Sequence, residues 1–217
     1  MAMKFRITLF ATLLLVSPFG FSAEYQIRPD VIQQEVDAWN KYAQSLLDLH
    51  NMKIANTAHT LERGSDRYGG EYAEDYRFLE EFYYSRDNKR LLSHIRWHDR
   101  QKQDLHTIEV FIYDSEGRLV RDYAAAYLPY ERNAPFQTLV NFHHYAYGIH
   151  AYRQFDANGE VLFEKCQGKY KGVALSLALE DYEMPDNLID ASPEYLHCFS
   201  GLPQSAGKHL DPRVEMK

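Results

Sequence analysis

The sequence predicts an α+β fold: one long N-terminal helix packed on a curved, mostly antiparallel β-sheet built from hairpins. Two patterns lead to it. Apolar residues recur at steps of three and four from Ile32 onward, and the chain beyond Asn51 repeats a unit of aromatic strand, Asp-containing turn and apolar strand. A third pattern, at the start of the chain, bears on where the protein works.

The helix opens at Arg28-Pro29-Asp30. Proline suits a first helical position, and Gln33 follows Asp30 by three, as in a capping box. Ile32, Val36, Trp39, Ala43, Leu46 and Leu47 then form one apolar stripe, with Asp37, Lys41 and Asp48 mainly off it. No helical period continues cleanly past Asn51, so the helix is expected to end near there. Its stripe needs a partner surface, and a sheet face supplies one.

Three hairpins are legible. Glu81-Phe82-Tyr83-Tyr84 leads through Asp87-Asn88 to Leu91-Leu92. Phe111-Ile112-Tyr113 leads through Asp114-Ser115-Glu116-Gly117 to Leu119-Val120. Arg153-Gln154-Phe155 leads through Asp156-Ala157-Asn158-Gly159 to Val161-Leu162-Phe163. Gly and Asn accept the positive φ of tight hairpin turns. Alternation supports the strands: Tyr76, Phe78, Phe82 and Tyr84 share one face, while Ile108, Val110 and Ile112 oppose Glu109, Phe111 and Tyr113. Parts of the sheet are thus apolar on both sides, and roughly six to eight strands are expected, an ordinary sheet size.

The run Tyr113-Asp114-Ser115-Glu116-Gly117-Arg118-Leu119 resembles the tyrosine-aspartate repeat of large bacterial shell and toxin proteins. Those shells need many tandem copies, so the resemblance implies a hairpin and carries no function to this chain. The nearest architectural analogy for the whole is a cystatin- or NTF2-like cone, and likeness of fold gives no activity.

Residues 127–135, with Pro129 and Pro135, read as a loop. Residues 136–147 fit helix or strand equally. Ser192-Pro193-Glu194 starts a short helix that carries Cys198 and stops at Gly201, and the polar stretch from Leu202 is loose unless docked. The domain plan is therefore a removable segment, residues 1–23, a single α+β domain, 24–201, and a loosely ordered tail, 202–217.

Residues 1–23 have the layout of a secretory signal peptide: Lys4 and Arg6, an apolar run from Ile7 to Val16 interrupted only by Thr8 and Thr12, then small and helix-ending residues. The run falls short of the roughly 20 apolar residues a membrane helix needs. Cleavage after Ser22 or Ala23 removes two basic and no acidic residues, taking the net charge from −7 to about −9. Such a balance argues against nucleic acid and anionic lipid as partners. The expectation is a periplasmic or secreted protein with no membrane span in the mature chain. Cys166 and Cys198 are its two cysteines, and an oxidising compartment favours a disulfide between them, which chain entropy rates at about 3–4 kcal/mol.

Three histidines, His143, His144 and His150, lie within eight residues. They are the candidates for a zinc or copper site, although no HExxH or similar spacing accompanies them. If 142–147 is a strand, His143 and His144 point to opposite faces. His94 and His98 form a lesser pair. No GxSxG elbow or glycine-rich phosphate cradle is present, and Glu80-Glu81 and Glu180-Asp181 read as ordinary solvated acids. The second signal is aromatic: 17 tyrosines, with Tyr123, Tyr127, Tyr130, Tyr145, Tyr147 and Tyr152 near Arg121, Arg132 and Arg153. Tyrosine offers a flat apolar face with a polar tip, and arginine clamps carboxylates. Tyr127, Tyr130, Arg132, Tyr145, Tyr147 and Tyr152 are therefore the ligand-binding candidates. The leading expectation is a non-enzymatic envelope protein that binds a protein partner or small ligand. The alternatives are metal-assisted hydrolysis by the histidine cluster and a structural subunit of an envelope assembly.

Overall fold

The computed structural model describes residues 29–67, 77–98, 104–127, 136–180 and 192–217. The signal-like segment, Tyr76, His98's side chain, Tyr130 and Arg132 lie outside what is described. The order of elements is α1 (Pro29–Asn56), then nine strands, β1 (His59–Arg67), β2 (Arg77–Ser85), β3 (Leu91–His98), β4 (Asp104–Tyr113), β5 (Leu119–Tyr127), β6 (Phe136–Ala146), β7 (Ile149–Asp156), β8 (Val161–Tyr170) and β9 (Val173–Glu180), then α2 (Pro193–Phe199) and two 3₁₀ turns, Gly207–Leu210 and Pro212–Met216. The fold is α+β. All neighbouring strands are antiparallel, and their spatial order is their sequence order. The nine strands among the described residues exceed the expected range by one. The open segment 136–147 is strand β6 and its turn.

The three hairpins read from sequence are β2–β3, β4–β5 and β7–β8. The Asp-x-x-Gly signature of the last two has a physical cause. Gly117 and Gly159 donate to the carbonyls of Asp114 and Asp156 at 3.0 and 3.1 Å, at φ values of 81° and 87° that only glycine adopts without cost. Asp156 Oδ1 also accepts from the backbone N–H groups of Asn158 and Glu160, each at 2.8 Å.

Register divides the sheet into two faces. Ile95 opposes Ile108, Val110 opposes Tyr123, Tyr123 opposes Val140 and Val140 opposes Phe155. These residues are all buried and form one core with Trp39, Ala43, Leu46 and Leu49 of α1. We call this side the helix face. Full burial of Leu46 and Leu49 contributes about 1.5–3 kcal/mol each. The buried stripe runs through Leu49 and His50, leaving Leu47 half-buried. The helix also outruns its expected end at Asn51 by more than a turn, because Met52 still packs on the core.

Arginine at the core is the main surprise. Arg153, 2% exposed, gives Nε–H to Glu164 on the next strand, Nη1–H to the Pro203 carbonyl at 2.6 Å and Nη2–H to the Tyr195 hydroxyl at 3.3 Å. Tyr195 lies on α2, and its hydroxyl also donates to Glu164. Two residues along the same strand, on the same face, Cys166 is bonded to Cys198 of α2. The expected disulfide is therefore present. Ser192 caps α2, its Oγ accepting from Tyr195 N–H at 3.1 Å.

Residues 202–217 are docked. Glu215 accepts from Arg121 Nε at 2.8 Å, Tyr123 Oη at 2.9 Å and His209 Nδ1 at 2.9 Å. Leu202, Ala206 and Pro212 are buried, and the last 3₁₀ turn packs against α1. Although burial alone would raise the Glu215 carboxyl, the hydrogen bonds and charge of Arg121 hold it below the ordinary carboxylate range.

His50 makes stability depend on pH. It is 4% exposed, bonds Ser93 Oγ through Nδ1 at 2.7 Å and stands edge-on to Tyr83 at 4.6 Å. Burial, against an opposing pull from Glu81, holds its pKa down at about 4, from 6.5. The unfolded chain thus takes up this proton near pH 6.5 and the folded one only near pH 4. Stability from this residue is full above pH 6.5 and falls by about 3 kcal/mol as pH drops towards 4. Urea melts at pH 7, 5 and 4 should show that decline, and His50→Asn should flatten it. Parallel pH profiles in the two proteins would refute the assignment.

Candidate functional site

Among the described residues every helical segment packs on the helix face, so the chemistry of interest lies on the opposite, outer face. Strand periodicity sends Asn141, His143 and Tyr145 of β6 outward and Val140, Phe142 and His144 inward. The three candidate histidines are therefore separated. His144 opposes Ala151 and lies against Gly201, where even a Cβ would come within 2.3 Å of its Nε2. His143 and His150 meet on the outer face.

There they form a relay with Asp122 of β5. His143 Nε2 lies 2.6 Å from Asp122 Oδ2 and His143 Nδ1 lies 3.1 Å from His150 Nε2. Asn141 Nδ2 donates to the other Asp122 oxygen at 2.6 Å. A carboxylate only accepts, so His143 carries its proton on Nε2. With His143 neutral, His150 donates from Nε2, leaving His150 Nδ1 as the basic nitrogen at the end of the chain. The rings of His150 and Tyr145 stack at 4.4 Å, and Tyr152 stands between His143 and Phe163, with centroids at 5.6 and 5.7 Å. Burial lowers the pKa of His150, and the charge of Lys165, with that of His143 whenever it is protonated, lowers it further.

This arrangement does not fit the expected zinc or copper. Both nitrogens of His143 are engaged, one with Asp122 and one with His150, and His144 is on the other side of the sheet. Among the described residues no group of three or more His, Cys, Asp or Glu is placed to hold a metal ion. Among the described residues no serine, threonine or cysteine is hydrogen-bonded to either histidine.

The aromatic candidates are also divided. Tyr127 belongs to the helix face, packed against Phe136 and Trp39 with centroids at 5.2 and 6.5 Å. Tyr145 and Tyr152 belong to the relay. Tyr147, in the β6–β7 turn, is 88% exposed and has φ 51°, left-handed for a bulky residue where such a turn favours Asn. Its ring lies 6.1 Å from His197 of α2. Two arginines of the region, Arg121 and Arg153, clamp carboxylates as their chemistry suggests, but the protein's own: Arg121 holds Glu215 and Arg153 holds Glu164.

A second outer-face cluster escaped the sequence reading. His94 lies flat on Phe82 at 4.2 Å and bonds Glu109 Oε2 through Nδ1 at 3.0 Å. Arg96 donates to Glu80 Oε1 at 2.7 Å. Its members come from three strands and only the register assembles them, as it also assembles Asp122 with His143. An open groove of about 460 Å³ lies where β6 outruns β7, lined by Trp39, Tyr42, Phe136, Leu139, Asp156 and Leu162 among others. The polar tips of its rings are already used, Trp39 on the Ala126 carbonyl at 3.0 Å and Tyr42 on the Leu139 carbonyl at 3.1 Å. Comparison with protein-family models, with curated proteins and with solved structures finds no match to this chain.

Proposed function

We propose that the chain is an exported, non-enzymatic binding protein that engages a protein partner or a small ring-bearing ligand through the β6–β7 hairpin. Tyr147 carries the reading. A left-handed tyrosine costs about 1 kcal/mol or more, and in this position it packs into no core that would account for the cost. Strain held at an exposed ring is what a contact residue looks like. The Tyr147 ring lies toward His197 of α2, while on the outer face of the same hairpin Tyr145, Tyr152 and the His143–His150 pair supply flat faces and a basic nitrogen. Export rests on the composition of residues 1–23, and the Cys166–Cys198 bond is compatible with a periplasmic or secreted, oxidising location. No helix of the described residues is long and apolar enough to cross a membrane. A curved, cone-like sheet belongs to the same proposal: register shifts at Tyr83/Tyr84, Arg96/Trp97, Ile112/Tyr113 and Gln154/Phe155 are the irregularities that bend strands.

The test places a photo-crosslinking amino acid at position 147 in exporting cells, with Lys89, another exposed left-handed turn residue, as control. A discrete adduct at 147 and none at 89 is expected. Tyr147→Asn should lose the partner in a pull-down while gaining about 1 kcal/mol of stability in chemical denaturation. Equal labelling at both positions, or a Tyr147→Asn protein that retains the partner, would overturn the reading.

A further inference from the structure

The two edges of the sheet are built differently. β1, His-Thr-Leu-Glu-Arg-Gly-Ser-Asp-Arg, alternates acids and bases around a glycine, which discourages pairing with another strand. β9, Val-Ala-Leu-Ser-Leu-Ala-Leu-Glu, has no charge before its last residue and neither Gly nor Pro. Among the described residues β8 is its one strand partner. Val173 is 69% exposed, and Ala174, Ser176 and Ala178 are exposed, while Leu175 and Leu177 rest partly buried on the core. Tyr170 lies 4.8 Å from His197, which sets α2 and its exposed Leu196 beside the start of this strand.

We infer that β9 pairs antiparallel with β9 of a second copy, about a two-fold axis at Ser176, so that the sheet runs through both molecules. An edge left unpaired among the described residues asks for an extended backbone, and three observations favour a copy of this chain. Pairing about Ser176 sets Leu175 opposite the second copy's Leu177 and Ala174 opposite its Ala178, so the apolar side of each strand continues into the other and the small residues meet on the outer side. Basic Lys171 precedes the strand and acidic Glu180 ends it, so an antiparallel copy brings opposite charges to each end whereas a parallel one does not. The contact is isologous and closes on itself, leaving the charged β1 edges outermost, which stops further growth. A pair of edge strands buries less area than a standard stable interface. The dimer therefore dissociates on dilution. This inference is independent of the role given to Tyr147.

Sedimentation velocity over a wide concentration range tests it, with wild-type protein, an Ala174→Lys/Ala178→Lys variant and an Ala174→Glu/Ala178→Glu variant. Wild type should shift from monomer to dimer as concentration rises. Each variant should remain monomeric, because like charges face each other across the axis. An equimolar mixture of the two should recover the dimer, since position 174 of one faces position 178 of the other. Thermal unfolding of dilute samples checks folding. The glutamate variant, facing Lys169 and Lys165 of β8, keeps the test decisive if the lysine variant does not fold, because its monomeric state alone then reads against wild type. Wild type that stays monomeric throughout, variants that dimerise like wild type, or a mixture of folded variants that stays monomeric would overturn the inference.

Discussion

Replacing Arg153 by methionine is expected to cost about 3–5 kcal/mol of folding stability, the range for removing one member of a buried ion pair. The loss does not come from a lost attraction alone. It leaves Glu164, itself 7% exposed, with the Tyr195 hydroxyl in place of a cation, and it strips the Pro203 carbonyl of its donor. A carboxylate kept out of water without its counter-charge is the expensive part. The double variant Arg153→Met/Glu164→Leu should therefore recover most of the loss, because both charges leave the interior together. Chemical denaturation of the two proteins beside wild type measures this. A single variant that loses less than about 1 kcal/mol would place the pair with exposed salt bridges and refute its structural weight.

Removing the disulfide, as Cys166→Ala/Cys198→Ala, is expected to cost about 3–4 kcal/mol from the entropy regained by the unfolded chain. The cysteines are separated by 32 residues and their Cα atoms are 5.8 Å apart. The local consequence is larger than the global one. Seven residues are too few to hold a helix in water by themselves, so α2 stays helical only while it is fastened to β7 and β8. The disulfide and the Arg153–Glu164–Tyr195 network are two of its fastenings. Because they hold the same element, their losses should not add: a cycle of Arg153→Met, the cysteine pair and the triple variant should give a non-zero coupling. Strict additivity would mean that the two fastenings act independently and that α2 does not link them.

Much of the fold is legible in the sequence where the signal is local. Trp39, Ala43 and Leu46 mark the helix because their spacing is a property of the helix itself. Asp114 and Gly117, or Asp156 and Gly159, mark hairpins because each turn is closed by its own residues. Cys166 and Cys198 are legible by being two. β1 is hidden for the opposite reason: an edge strand has little to bury, so His59–Arg67 lacks an apolar alternation. α1 extends past Asn51 because Met52 meets a core that local periodicity does not register. The site was harder to read because its atoms come from different strands. His143 and His144 are neighbours in sequence and lie on opposite sides of the sheet. Asp122 and His143, 21 positions apart, are in hydrogen-bond contact. Tyr127 and Tyr145 looked like one patch and face opposite ways. Arg153 looked like a ligand clamp, and only the placement of Glu164 and Pro203 makes it part of the interior.

Strand order identical to sequence order has a kinetic meaning. Each strand can pair with the one just before it, so the sheet can assemble as a series of short loop closures, the kind of contact that forms fastest. Among the described residues, a closure that spans the whole sheet is the meeting of α1 with the 3₁₀ turn at Pro212–Met216. Until Glu215 reaches Arg121 and Tyr123, the apolar stripe of α1 has only part of its cover. The slow search in this protein is therefore for a clasp between its ends, while the strands between them can zip up neighbour by neighbour.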